Sequence, residues 1–182
     1  MAGLTSRLAG LDDIPALQAV MAAAIGELQR GFLTPQQIES SRMIMGLDSQ
    51  LVADGTYFIV EAPDELGARQ IAGCGGWSRR ATLYGGDHTP GREPALLDPA
   101  TDAARVRAMY THPAFARRGV GRLILELCEA AAKAEGFARL ELMGTMSGKP
   151  LYESYGFEPI EEIIDDRGGA PVPLTRMGKL IL

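Results

Sequence analysis

Cysteine is nearly missing from this chain. Cys74 and Cys128 are the only two, far apart and outside any C-x-x-C spacing. Such a pair gives neither a disulfide framework nor a zinc site. Positive charge is also in deficit: 18 Lys and Arg against 23 Asp and Glu leave a formal charge of −5. That balance disfavours a general nucleic-acid surface and leaves room only for a local basic patch. No stretch is long and apolar enough to span a bilayer, and the amino terminus lacks a basic segment followed by an apolar run. There is no internal repeat and no low-complexity run. The expectation is a soluble protein of the reducing cytoplasm, with no membrane and no nucleic-acid partner.

What is present suits one domain spanning residues 1–182. A chain of this length with 46% hydrophobic and 23% charged residues can bury a real core. Leu4 to Ala9 reads as a short edge strand. Asp12 or Asp13 opens a helix to about Arg30, with Ile14, Leu17, Met21, Ile25 and Leu28 as its buried stripe. Thr34-Pro35-Gln36-Gln37 carries a capping box and a first-turn proline, which start a second helix running to about Gly46. After the Asp54-Gly55 turn, Thr56–Glu61 and Gln70–Trp77 form a hairpin. Gly73, Gly75 and Gly76 are costly inside a strand and mark a bulge or a close backbone approach. The segment from Ser78 to Ala104 is rich in Gly, Pro and Asp, and its length marks a functional flap or a disordered stretch.

Val106–Thr111 is the next strand. The helix after it buries Val120, Ile124, Leu127, Cys128 and Ala131, and stops at Gly136. Arg139–Met143 is a strand, so strand, helix and strand imply a right-handed parallel crossover. Ser147 to Tyr155 is a short helix stopped by Gly156. The tail turns at Asp166–Gly169 between strands near Ile160–Ile164 and Leu174–Ile181. The result is one mixed-sheet α/β domain.

The densest positive cluster, Arg117-Arg118-Gly119-Val120-Gly121-Arg122, sits where the long helix begins. Free N–H groups at a helix start, with flanking arginines, form a site for a phosphate or diphosphate. Gly119 and Gly121 let a ligand approach the backbone. Gly144 to Lys149 superficially looks like a nucleotide-binding P-loop. It has one residue too few between its glycines, and Pro150 stands where a magnesium-binding hydroxyl is needed.

Taken together, Met109-Tyr110-Thr111-His112-Pro113, Arg117 through Arg122, Leu151-Tyr152 and Gly156-Phe157 resemble the GCN5-related N-acetyltransferase (GNAT) superfamily. The matching core covers about a third of the chain. It departs at Ala116, where the family usually carries Gln or Arg. The resemblance implies a mixed, mostly antiparallel central sheet flanked by helices, with the cofactor core at about 104–158. It implies acetyl-CoA as acyl donor, its diphosphate wrapped by Arg117, Arg118, Gly119, Val120, Gly121 and Arg122. The backbone of Met109, Tyr110 and Thr111 would pair with the pantetheine arm, and the Met109 N–H would polarise the acetyl carbonyl. Thr145 falls near a cofactor-contacting position. Tyr152 matches the tyrosine that protonates the departing thiolate.

Glu141 is the nearest match to the glutamate that some relatives use as general base, and a solvated strand glutamate is the equal alternative. No metal is required. The acceptor implied is a small amine or a protein amino group, and a CoA-binding sensor without turnover is the competing class. A homodimer is a family-level expectation. In the long loop, Asp87, His88, Glu93, Asp98 and Asp102 would draw a cationic amine if the loop closes over the site. Trp77 fits either an acceptor pocket or the core.

Overall fold

The computed structural model describes residues 3–182, and a seven-stranded sheet runs through its centre. In chain order the strands are β1 (Thr5–Leu8), β2 (Tyr57–Pro63), β3 (Arg69–Ser78), β4 (Ala104–Thr111), β5 (Arg139–Thr145), β6 (Glu158–Asp165) and β7 (Val172–Leu180). The helices are α1 (Ile14–Glu27), α2 (Pro35–Ser41), α3 (Ser49–Ala53), α4 (Val120–Ala134) and α5 (Lys149–Tyr155). Across the sheet the order is β1-β2-β3-β4-β5-β7-β6. Every neighbouring pair is antiparallel except β4 and β5, the pair joined by α4.

Strand alternation divides the core between two faces. Tyr57, Ile59 and Cys74 join Leu17, Met21 and Ile25 of α1. Val60, Ala62 and Ala72 join Val120, Ile124 and Cys128 of α4 on the opposite face. The strand glycines explain how closely α4 lies. A Cβ on Gly73 would stand 2.5 Å from Val120 Cγ1, and one on Gly75 2.7 Å from Ile124 Cγ2. Any side chain there would lift the helix off the sheet.

Two irregularities in β4 shape the middle of the sheet. Cys74 pairs with Tyr110 and Gly76 with Arg107, so Ala108 and Met109 together face Gly75. This is a β-bulge, and Ala108 takes a left-handed backbone with φ of 49°. The Tyr57 hydroxyl donates to the Ala108 carbonyl at 2.6 Å and holds the bulge. Secondly, β4 and β5 pair only at Ala104–Leu140 and Arg105–Glu141. Beyond that point they diverge, and their facing backbone edges have no strand partner.

Several local expectations are corrected. α2 stops at Ser41, well short of Gly46, because the chain tightens into Met43-to-Ser40 and Ile44-to-Ser41 turns. α3 was not foreseen: it has five residues, too few for a periodic signal, and starts where the Asp48 carboxylate accepts from Gln50 N–H at 3.0 Å. Asp13 does not cap α1 forward. Its carboxylate turns back to Gly10 N–H and Arg7. On α4, Leu125 and Ala132 are buried where Leu127 and Ala131 are half-buried.

Candidate active site

The divergence of β4 from β5 opens a cleft of about 650 Å³ on one side and a smaller pocket of about 90 Å³ on the other. Met45, Met109, Tyr110, Thr145 and Tyr152 border both, so the two spaces meet across the bulge.

The wide cleft is bounded by the glycine loop. Gly119 has φ of 86°, and the residue two before it, Arg117, is also left-handed at 64°. The first helical bond of α4 runs from Leu123 N–H to the Gly119 carbonyl, which leaves the N–H groups just before it free of the helix. Ala116, Arg117, Gly119, Val120, Gly121 and Arg122 line the cleft, with Arg117 and Arg122 exposed. Arg118 does not. Its guanidinium lies over the Phe115 ring at 5.0 Å. Gly121 is needed for packing too, since a Cβ there would come within 2.6 Å of Leu151 Cδ2.

Tyr152 occupies the junction. It is buried, its ring stands edge-on to Phe157, and burial pushes its phenol up to about 12. The phenol therefore stays protonated at neutral pH. Among the described residues its hydroxyl has no hydrogen-bond partner, and it borders both cavities. The Gly144–Lys149 stretch now has an explanation unrelated to phosphate. A Cβ on Gly148 would lie 2.9 Å from Tyr152 Cε2, and one on Gly144 3.2 Å from Cδ2. These glycines make room for the tyrosine ring. Thr145 accepts from Gly148 N–H at 3.2 Å and steadies the same turn.

The small pocket is assembled from remote segments: Ile44–Gly46 after α2, Leu83–Gly85 of the long loop, the facing edges of β4 and β5, and Leu174 of β7. The loop is an ordered flap pinned by ion pairs. Arg80 meets Asp54 at 2.7 Å, and Arg92 meets Asp48. Asp48, 2% exposed, also holds the buried Arg107 at 2.9 Å, and Arg107 donates to the carbonyls of Thr82 and Gly85. Tyr84 donates to Asp165 at 2.9 Å, and burial, helped by that bond, raises its phenol. Burial works against the charge on Asp165, but hydrogen bonds from Arg167 outweigh it and keep the carboxyl below its ordinary range.

Glu141 is a correction. Its carboxylate is held by Arg105 at 2.6 Å and Arg176 at 2.6 Å, and it lines neither cavity. It sits at the level where β4 and β5 are still paired, away from the split between them. The loop acids are likewise occupied elsewhere: Asp87 with Ser49 and Arg92, Asp98 and Asp102 with their own turn. His88 approaches the Arg42 carbonyl, and Glu93 borders neither space. Trp77 is core, 2% exposed and edge-on to Phe137. Cys74 and Cys128 are both buried and free. Sequence reasoning missed Tyr57, Tyr84 and Arg107. Only Tyr84, an aromatic beside Gly85-Gly86 in a polar loop, left any trace.

A mostly antiparallel sheet split between two parallel strands, with a glycine-rich helix start at the mouth of the split, is the GNAT fold. The family model for the acetyltransferase (GNAT) domain matches residues 53–159, more than half of the chain, and the protein belongs to that family. Three solved structures show the same architecture. A GCN5-related N-acetyltransferase from Rhodopseudomonas palustris has a TM-score of 0.70 at 18% identity, covering 99% of this chain and 97% of its own. The PaiA N-acetyltransferase of Thermoplasma acidophilum, solved with coenzyme A, gives 0.59 at 14%, covering 97% and 98%. The ribosomal-protein-S18-alanine N-acetyltransferase of Escherichia coli gives 0.56 at 16%, covering 98% and 94%. No functionally curated protein matches the chain. Among the described residues no helix is long and apolar enough to cross a membrane, and no group of three or more His, Cys, Asp or Glu is placed to hold a metal ion.

Proposed function

We propose that the protein transfers the acetyl group of acetyl-CoA to an amine by direct attack within a ternary complex. The observation that carries this is the unpartnered hydroxyl of Tyr152 at the junction of the two cavities. Acetyl-CoA occupies the wide cleft, with its diphosphate on the free N–H groups ahead of Leu123 and on Arg117 and Arg122. The loop backbone at Arg118 contributes, while its side chain stays on Phe115. The pantetheine arm runs along the unpaired edge of Met109–Thr111, as a strand would. The bulge at Ala108 turns the Met109 N–H toward the thioester carbonyl, where oxyanion charge develops. Thr145 borders the thioester from β5. The amine enters through the small pocket, and Tyr152 protonates the departing sulfur. That a structural neighbour is solved with coenzyme A supports the donor assignment.

A CoA-binding sensor without turnover is favoured by one feature, Ala116 in place of the usual Gln or Arg. Calorimetry with CoA and a thiol-release assay separate the readings. Binding at micromolar levels with amine-dependent thiol release is the expected result. Binding without release at any amine would leave the sensor, and no binding would reject both.

A further inference from the structure

The two cavities contain no anionic side chain: among the described residues, no Asp or Glu borders either one. The polar groups around the small pocket are the phenols of Tyr84, Tyr110 and Tyr152, the Thr145 hydroxyl and Arg107. Arg107 is 3% exposed and already committed to Asp48 and two carbonyls. Tyr110 accepts from Gly46 N–H at 2.9 Å. The remaining charges face away or stand behind this wall. Asp165 and Arg167 lie beyond Tyr84, and Asp48 and Arg92 lie beyond Arg107. Glu141 of β5 is closed between two arginines, and His88 rests on the Arg42 carbonyl. Arg117 and Arg122, on the cleft side, add positive charge. A cationic amine entering this pocket would find no counter-ion, and desolvating it there is costly.

We infer that the enzyme takes its acceptor already neutral, has no side-chain base with which to deprotonate an ammonium, and is suited to small amines of low basicity with an apolar body. This rests on the acetyl-transfer reading above. The proton count supports it. A neutral amine attacks the thioester carbon, the C–N bond forms, and the C–S bond breaks. The sulfur takes the Tyr152 proton, and the surplus proton on nitrogen returns to the Tyr152 oxygen. One proton leaves nitrogen and one arrives on sulfur, so none has to be exported. An ammonium would have to lose one more, and neither cavity offers a group to receive it. A lysine-like amine, with a pKa of about 10, is neutral only about once in 10³ molecules at pH 7.

Size and orientation narrow the class. The pocket, at about 90 Å³, is smaller than the roughly 150 Å³ cavity that accommodates benzene, and Ile44, Leu83, Leu142, Met143 and Leu174 form its apolar wall. Because Tyr84 gives its proton to Asp165, its oxygen lone pairs are left to accept an N–H from the amine.

The test uses the full chain with ethylamine, monofluoroethylamine and trifluoroethylamine, which are close in size and step down in basicity, and putrescine as a dication. The expected result is an ascending limb of kcat/KM against pH that follows each amine's own pKa, moving by about 2 pH units or more across the series. Tyr84→Phe should raise KM for ethylamine about 5-fold with CoA affinity unchanged. A limb fixed at one pH for every amine would reveal an enzyme base and overturn the inference. So would a preference for putrescine, an unchanged KM in Tyr84→Phe, or CoA binding with no transfer to any of the four. Absence of CoA binding would instead remove the acetyl-transfer reading beneath it.

Discussion

The wide cleft and the small pocket share five residues and differ in almost everything else. The cleft is built around one continuous stretch, from β4 through the glycine loop and α4 to α5. It carries Arg117 and Arg122 and adjoins the free N–H groups at the start of α4. The pocket draws on the segment after α2, the flap, β4, β5 and β7, carries phenols and aliphatic side chains, and has its one guanidinium paired with Asp48. A diphosphate can be recognised by local geometry, because a helix start presents its N–H groups wherever the helix occurs. A small amine must be enclosed, and enclosure requires side chains from segments remote in sequence. On the proposed reading, the donor side rests on local geometry and the acceptor side on remote side chains.

Tyr152, at the boundary, gives the largest expected effect. Tyr152→Phe should lower kcat about 10²-fold, the scale of general acid catalysis, with CoA affinity retained. If calorimetry shows that affinity falls instead, the tyrosine belongs to the cleft alone. Next is Arg117→Ala, which should weaken CoA about 10-fold and flatten the salt dependence of binding, leaving the preference among amines untouched. A changed amine preference would merge the two regions into one.

A smaller effect is expected at Tyr57, which touches neither cavity and supports the bulge between them. Tyr57→Phe loses one hydrogen bond, worth about 1 kcal/mol. It should cut kcat several-fold while KM for both substrates holds, because the Met109 N–H loses its fixed direction. Equal losses in kcat and thermal stability would reduce Tyr57 to a core residue.

Acid should separate the regions without touching chemistry. Asp54 is held below its ordinary value by Arg80, and Asp165 is lowered despite burial by Arg167. A depressed folded-state pKa gives stability that is present above about 3.8 and lost as pH falls below it. Both carboxylates pin the flap, whereas the Ala116–Arg122 loop contains none. Hydrogen exchange should therefore show flap amides opening below about pH 3.8 before the loop responds. Smallest of all is Glu141→Gln. It should lower stability by about 1 kcal/mol through the exposed part of its arginine pairs and leave the pH–rate limb where it was.

The sequence was most legible where a signal is local. The capping box at Thr34 formed as read, with Gln37 N–H on Thr34 Oγ1 at 3.2 Å. Gly73 and Gly75 announced the close approach of α4, and Gly119 the start of that helix. It was least legible where partners are remote. By family resemblance Glu141 reads as a base or a solvated glutamate, and the side chains that bind its carboxylate, Arg105 and Arg176, stand 36 and 35 residues away. Gly144 and Gly148 fail the phosphate-loop spacing in sequence, but only the fold shows the ring they accommodate.

By itself the sequence determined the parallel crossover around α4, the glycine-rich basic helix start and the tyrosine one turn before Gly156. These depend on periodicity, backbone freedom and caps, which act over a few residues. Only the tertiary structure decided how far β4 and β5 stay paired, and with that which side chains line the two cavities. It also decided that Tyr57 fixes the bulge, that the flap closes on Asp48 and Asp165, and that among the described residues no carboxylate borders the small pocket. Those outcomes depend on packing and charge pairing between distant segments, where a shift of one residue in register turns a side chain to the opposite face.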